Sequence, residues 1–323
     1  MGLLDVEVAD FERALNAASA LFKGDGTGAL TWKMNAHDFT LQGLEAAKNS
    51  SSASEFMVMV PRTPTWSRIQ ATNTRGPRPT RSRRFPWGLP WAQGAQSSRL
   101  DDENALFHLA LDCMSAFLGS TSTKAVSWLA FISPEDLGPT HDHEPASPWQ
   151  LDRLQDLASQ HGMHRSAFCQ CRFSNSDFPR PTGLLTSARP PLGTFKTGWP
   201  KIHGRYLGPL PRDCGCGKVH PSMQAKSGSF VGPRRMLEDG ATTAVAAALW
   251  THARNAFLSP QGLLTKGCDL EVFKALLPKA RMYEQTSDGY DTDGTIIAEP
   301  PLLSTGIVQN AALRVHARET DLT

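Results

Sequence analysis

Acidic residues are missing from a long stretch of this 323-residue chain: none occurs between Glu55 and Asp101, where eight arginines do. The formal charge of the whole is only +2, so charge is informative locally rather than globally. Cysteine is scarce. Six cysteines in a chain of this length exclude a disulfide framework like those of small secreted domains, and reducing surroundings are the default. Long apolar runs are absent too; the longest, near Ala244 to Trp250, is far too short to span a bilayer. The opening MGLLDVEVADFERA has early acids and no basic flank, which argues against a secretory signal. Val6 stands where a myristoylation signal needs Ser or Thr. These absences predict an intracellular protein with no membrane partner, nuclear if it binds DNA. What is plentiful is Gly and Pro, 26 and 23 residues, which predicts a globular fold rich in loops rather than a helical bundle.

Periodicity predicts the elements. Asp5 to Phe22 repeats apolar residues at three or four positions, a helix. Ala29 to Met34 reads as a short strand, and Thr40 to Lys48 as a short helix capped by Thr40. Phe56 to Val60 is a continuous apolar run, as in a buried parallel strand. Asn104 to Leu118 is an amphipathic helix, Lys124 to Ile132 a second buried strand, and Trp149 to Gln160 a short helix. His164 to Phe173 and Gly183 to Thr186 are further strands. Leu237 to Phe257 is the longest helix, with two acids in its first turn, and Cys268 to Lys279 a short one. The alternation predicts an α/β fold whose functional loops leave the carboxyl ends of strands. Four regions are expected. Residues 1–160 form the core, with an Arg-rich loop at 61–100. Residues 161–235 are irregular and rich in Gly and Pro. Residues 236–280 carry C-terminal helices, and 281–323 form a loosely ordered tail.

Three clusters carry chemistry. Arg62, Arg68, Arg75, Arg78, Arg81, Arg83 and Arg84 are interleaved with Trp66, Phe85, Trp87 and Trp91. Arginines neutralise phosphates and aromatic faces stack unpaired bases, so nucleic acid is the expected partner; a solvated basic loop is the plain alternative. Cys169 and Cys171, with Cys214, Cys216 and His220, are donors enough for tetrahedral zinc. Their Cys-x-Cys spacing departs from the commoner Cys-x-x-Cys, and buried free thiols are the alternative. His141 to Glu144 could chelate a metal, though such a run is more often solvated. Lys23 to Ala29, Gly-rich, follows a helix rather than a strand, which disfavours a phosphate cradle.

Four stretches together resemble one family. FMVMVPRTPTWSR (Phe56 to Arg68) is similar to the strand and Pro-Pro-Cys-x-Thr-Trp-Ser turn of DNA cytosine-5 methyltransferase-like proteins. RGPRPTRSRRFPWGLP (Arg75 to Pro90) resembles a divergent branch found in phage and mobile-element genes. WLAFI with the later Glu144 and Pro145 resembles the strand and Glu-Asn-Pro motif. FCQCRFSNSDFPRPTGLLTS (Phe168 to Ser187) resembles that branch's Gln-Cys-x-Phe-Gly, Lys-Pro-Thr and Leu-Leu-Thr-Asn, and Cys214, Cys216 and His220 sit where it has Cys and His.

The resemblance implies a partial Rossmann-like sheet and S-adenosylmethionine as cofactor. It also implies a thiolate that attacks C6 of a flipped cytosine and a glutamate near N3. Carried over, the thiol position is Thr63, the glutamate Glu144, an acidic cofactor position Asp38, and later polar positions Gln170 and Arg180. Thr63 has no thiol, Arg62 replaces a proline, and Pro145 stands where Asn is expected. No glycine-rich cofactor turn is recognisable ahead of Ala29, so the chain reads as beginning after it, with its first strand missing. These departures predict a catalytically inactive relative or mobile-element remnant that contacts nucleic acid. Two alternatives stand beside it: a zinc-stabilised nucleic-acid-binding module, and a methyltransferase half completed by a second chain.

Overall fold

A computed structural model describes residues 2–4, 8–21, 35–37, 40–50, 55–61, 64–66, 79–120, 127–140, 143–174, 178–190, 195–220 and 239–258. Five helices are described: α1 (Val8–Leu21), α2 (Leu41–Ser50), α3 (Ala95–Ser120), α4 (Asp152–Gln160) and α5 (Asp239–Leu258). The strands are β1 (Gly2–Leu4), β2 (Asn35–His37), β3 (Phe56–Met59), β4 (Trp128–Pro134), β5 (His164–Cys169), β6 (Pro181–Thr186), β7 (Lys196–Thr197), β8 (Ile202–His203) and β9 (Arg205–Tyr206). The first seven form one mixed sheet of order β2-β1-β3-β4-β6-β5-β7. From β2 to β4 neighbours are parallel; β6 then runs antiparallel to both β4 and β5, and β7 antiparallel to β5.

The apolar runs end up where their composition sends them. All four residues of β3 are buried, because the strand lies between two parallel neighbours and both its faces are covered by helices. Alternate side chains leave opposite faces. Phe56, Val58 and Val60 join Phe11 and Leu15 of α1 and Ala244 and Val245 of α5. Met57 and Met59 join Leu44 of α2, Phe107, Met114 and Phe117 of α3, and Leu154 of α4. Helices thus cover both faces. α5 buries small side chains from Ala241 through Leu249, which lets a helix lie close against a sheet and against α1. Thr40 caps α2, its Oγ1 accepting from Gly43 N–H at 3.1 Å, as its position ahead of the apolar repeat predicts.

Several expectations change. The sheet does not lack a strand ahead of residue 29: β1 lies between β2 and β3. Three residues led by a glycine are too short to show a period. The sheet also crosses the boundary expected at residue 160, since β4 pairs with β6 from Ala130↔Thr186 to Pro134↔Thr182. α3 starts at Ala95, well before Asn104. Its first turns are polar, but Leu100 and Glu103 within them are buried. The strand expected at residues 29–34, the helix at 268–279 and the tail at 281–323 lie outside the described residues.

Candidate functional site

Four donors converge at the end of β5. Cys171, Cys214, Cys216 and His220 place their ligand atoms within 4.8 Å of one another. Cys171 comes from a single 3-10 turn, Gln170–Arg172, that follows β5. The other three come from the segment beyond β9. Cys214 Sγ is 3.3 Å from Cys216 Sγ, and His220 Nε2 lies 3.2 Å from the first and 3.0 Å from the second. A tetrahedral zinc with bonds of about 2.3 Å to sulfur and 2.0 Å to nitrogen needs edges of roughly 3.5–3.8 Å. Cys214, Cys216 and His220 therefore stand slightly inside zinc spacing, and Cys171 completes a set that spans no more than 4.8 Å.

Glycines make the Cys-x-Cys spacing workable. Gly215 and Gly217 have φ of +67° and +71°, a left-handed backbone that tightens Cys-Gly-Cys-Gly so both sulfurs face one point. Gly215 also has no room for a side chain: a Cβ there would meet Arg172 Nη1 at 2.6 Å. Arg172 Nη1 donates to Cys214 carbonyl at 2.6 Å, and Gly215 N–H to Asp213 Oδ1 at 3.0 Å.

The thiols are tuned unequally. Burial pushes the Cys171 and Cys214 thiols up. Burial raises Cys216 as well, but hydrogen bonds from Lys218 N–H, the neighbouring thiols and His220 outweigh it and bring the group down to about 7. Cys216 is thus the thiol of the cluster that ionises most readily, with its neighbours donating to it, which suits a site that exchanges protons for a cation. Three thiolates and an imidazole fill four positions and leave none open, the pattern of a structural rather than catalytic ion. Cys169 is not among the donors. It ends β5, paired with Pro181, and the turn after it carries only Cys171 to the cluster.

A second constellation sits where β4 ends. Glu135 and Arg165 form an ion pair with both side chains fully excluded from solvent. Tyr206 OH donates to Glu135 Oε1 at 3.0 Å and accepts from Leu210 N–H at 3.1 Å. The Arg165 guanidinium lies 3.8 Å over the Trp149 ring, and Trp149 Nε1 donates to Pro134 carbonyl at 2.6 Å. Gly183 is what lets these groups meet: a Cβ there would fall 2.3 Å from Arg165 Nη2 and 2.6 Å from Trp149 Cζ2. Burial pushes the Glu135 carboxyl up, against the pull of Arg165 and Tyr206, and pushes Arg165 down against Glu135. Nothing local in the sequence joins Glu135, Trp149, Arg165 and Tyr206, which are widely separated along the chain and share no motif.

The turn after β3 is held by a third group. Thr65 N–H and Oγ1 both donate to Glu103 Oε2 of α3. Arg81 Nε donates to Thr65 Oγ1 at 2.7 Å, and Arg81 Nη1 donates to Asn104 Oδ1 at 2.7 Å and to Pro86 carbonyl at 2.8 Å. Its guanidinium lies 4.5 Å over Trp66, which stacks on Phe107. Burial lowers Arg81 to about 10, opposed by Glu103.

The sequence-predicted sites therefore divide. Arg81 is only 3% exposed and Gln170 1%, so neither can reach a nucleic acid; Arg81 ties a turn, and Gln170 Nε2 donates to Thr182 Oγ1 at 2.8 Å. Both assignments are corrected, because side chains buried this deeply inside the fold do not reach a phosphate outside it. Arg83 and Arg84 are exposed. Arg180 is half-buried, with φ at +41°. Glu144 is exposed, with its backbone carbonyl accepting from Arg83 N–H at 2.8 Å. The buried carboxylates beyond β4 are Glu135 and Asp136. Asp38, Arg62, Thr63, Arg68, Arg75 and Arg78 lie outside the described residues, as do His141 and Asp142 of the second metal candidate. Among the described residues no helix is long and apolar enough to cross a membrane. Compared with known proteins, the chain matches no family model, no curated protein and no solved structure.

Proposed function

We propose that this chain is a zinc-stabilised, DNA cytosine-5 methyltransferase-like protein that contacts nucleic acid without methylating it. The observation that carries the reading is the strand order. The chain steps from β1 outward to β2, then back past β1 to β3. That reversal supports a doubly wound, Rossmann-like reading, in which ligands sit outside the carboxyl ends of the strands where the order turns. The turn that resembles the nucleophile turn leaves β3 at that place, and its residue 63 is threonine.

Two features support loss of chemistry rather than its survival. A threonine hydroxyl is a poor nucleophile without a dedicated base. Glu135, the buried carboxylate next along the sheet, is already engaged by Arg165 and Tyr206. Cys171, Cys214, Cys216 and His220 would hold zinc, which would supply a cross-link between the end of β5 and the segment beyond β9. S-adenosylmethionine belongs to the resemblance alone.

The test uses the full chain. It is incubated with S-adenosylmethionine and a duplex carrying 5-fluorocytosine, which traps an attacking thiolate as a covalent adduct. The reading expects no adduct, no methyl transfer, one bound zinc per chain and salt-sensitive nucleic-acid binding. An adduct, or methyl transfer to unmodified DNA, overturns it.

A further inference from the structure

The Arg-rich loop divides into a buried anchor and an exposed face. Arg81 is the anchor, as described above. Around it the backbone is pinned repeatedly. Leu89 N–H donates to Thr80 carbonyl at 2.9 Å, Phe85 N–H to Ser82 carbonyl at 3.0 Å, and Arg83 N–H to Glu144 carbonyl at 2.8 Å. Asn104 of α3 donates to Trp87 carbonyl at 2.7 Å. Gly88, at φ +139°, lets the chain press against Leu100, where a Cβ would come within 3.0 Å.

What this frame presents is cationic and aromatic. Trp91 is 68% exposed, with Phe85 meeting it edge to face at 6.4 Å. The Arg84 guanidinium lies 5.4 Å over the Phe85 ring. Arg83 and Arg84 are exposed, and among the described residues neither has an acidic partner. No acid occurs anywhere in the sequence from Phe56 to Leu100.

We infer that the face made by Arg83, Arg84, Phe85 and Trp91 binds single-stranded nucleic acid, with an unpaired base stacked on Trp91 and the flanking phosphates on the two arginines. An indole this open and a partnered ring beside it offer a stacking surface, which a paired base inside a duplex cannot use. The two guanidiniums supply the backbone contacts. Because the backbone of residues 80–89 is already pinned, little ordering cost falls on binding. The inference rests on the nucleic-acid reading above and adds the strandedness and the residues.

The experiment measures anisotropy of a labelled oligothymidylate, about 12 nucleotides long, and of a duplex of equal length, against the full zinc-loaded chain over a salt series. The single strand should bind more tightly. Trp91→Ala should weaken it about 5- to 100-fold, while Trp91→Phe keeps most of the affinity. Arg83→Ala and Arg84→Ala should each flatten the plot of log affinity against log salt by about 0.7. All four side chains are exposed or half-buried, and circular dichroism checks that the variants fold. Duplex binding equal to or tighter than single-strand binding, with Trp91→Ala indifferent, overturns this inference and leaves the nucleic-acid reading standing. Binding of neither strand form at low salt overturns both.

Discussion

Replacing Arg165 with methionine should be among the most damaging single changes in this protein. Both side chains of the Glu135–Arg165 pair are fully excluded from solvent, so no discount for water screening applies. Two unit charges in contact at about 4 Å, in an effective dielectric near 20, attract by ~4 kcal/mol. Losing one partner of such a pair costs about 3–5 kcal/mol, because the other charge stays buried alone. A domain is stable by only about 5–15 kcal/mol, so the loss is a large share. Urea unfolding of Arg165→Met should show a lower midpoint at unchanged slope. Glu135→Leu added to Arg165→Met should recover much of the loss, since neither charge is then left over.

A pH signature accompanies the single variant. Without the guanidinium, burial raises the Glu135 carboxyl further above its ordinary 4.5. The folded state then holds a proton that the unfolded state releases, so stability is retained below pH 4.5 and lost as pH rises through the folded value. A loss below ~1 kcal/mol in Arg165→Met, or equal losses in the single and double variants, would refute the argument that this pair is buried and coupled.

Zinc should bind one to one and raise the melting temperature. Gly215→Ala and Cys171→Ser should abolish that binding while Cys169→Ser keeps it, as read by metal analysis after dialysis. Zinc binding should release protons, measurable as a buffer-dependent heat, because at least the Cys171 and Cys214 thiols are pushed up by burial and must ionise to ligate. Arg81→Met should cost ~3 kcal/mol of stability, whereas Arg83→Ala and Arg84→Ala should each stay within ~0.5 kcal/mol; equal effects in denaturation would contradict the division of the loop. His252 is lowered by burial from its ordinary 6.5, so its contribution is intact above pH 6.5 and erodes as pH falls below it. His252→Gln should flatten that acid-side slope in a urea series.

The legible parts of the fold are those with local causes. β3 and β4 announce themselves as unbroken apolar runs, and α1 and α2 by spacing and by Thr40. β1 was not legible, since Gly2–Leu4 has no pattern of its own and is a strand only through pairing with Asn35–His37 and Met57–Met59. The start of α3 is hidden in the sequence because its first turns are polar, and Glu103 is buried there among Thr65, Arg81 and Arg99. Of the five donors that the sequence offers, Cys169 stays outside the cluster. Cys-x-Cys spacing argues against a shared ion, and the signal that reverses it is the intervening glycine, whose left-handed backbone depends on the Asp213 and Arg172 contacts.

The sequence by itself determined the class of the fold, an α/β sheet fed by buried strands, because burial of apolar runs is a property of composition. It also determined which stretches carry the thiols and the arginines, since both are counted along the chain. Only tertiary structure decided which arginine is anchor and which is surface, because Arg81 and Arg83 differ by two residues and by the whole environment around Glu103 and Trp66. It alone decided that Cys171 meets Cys214, and that Glu135 meets Arg165 over Gly183. Such meetings join residues far apart in the chain, and no local period can encode them.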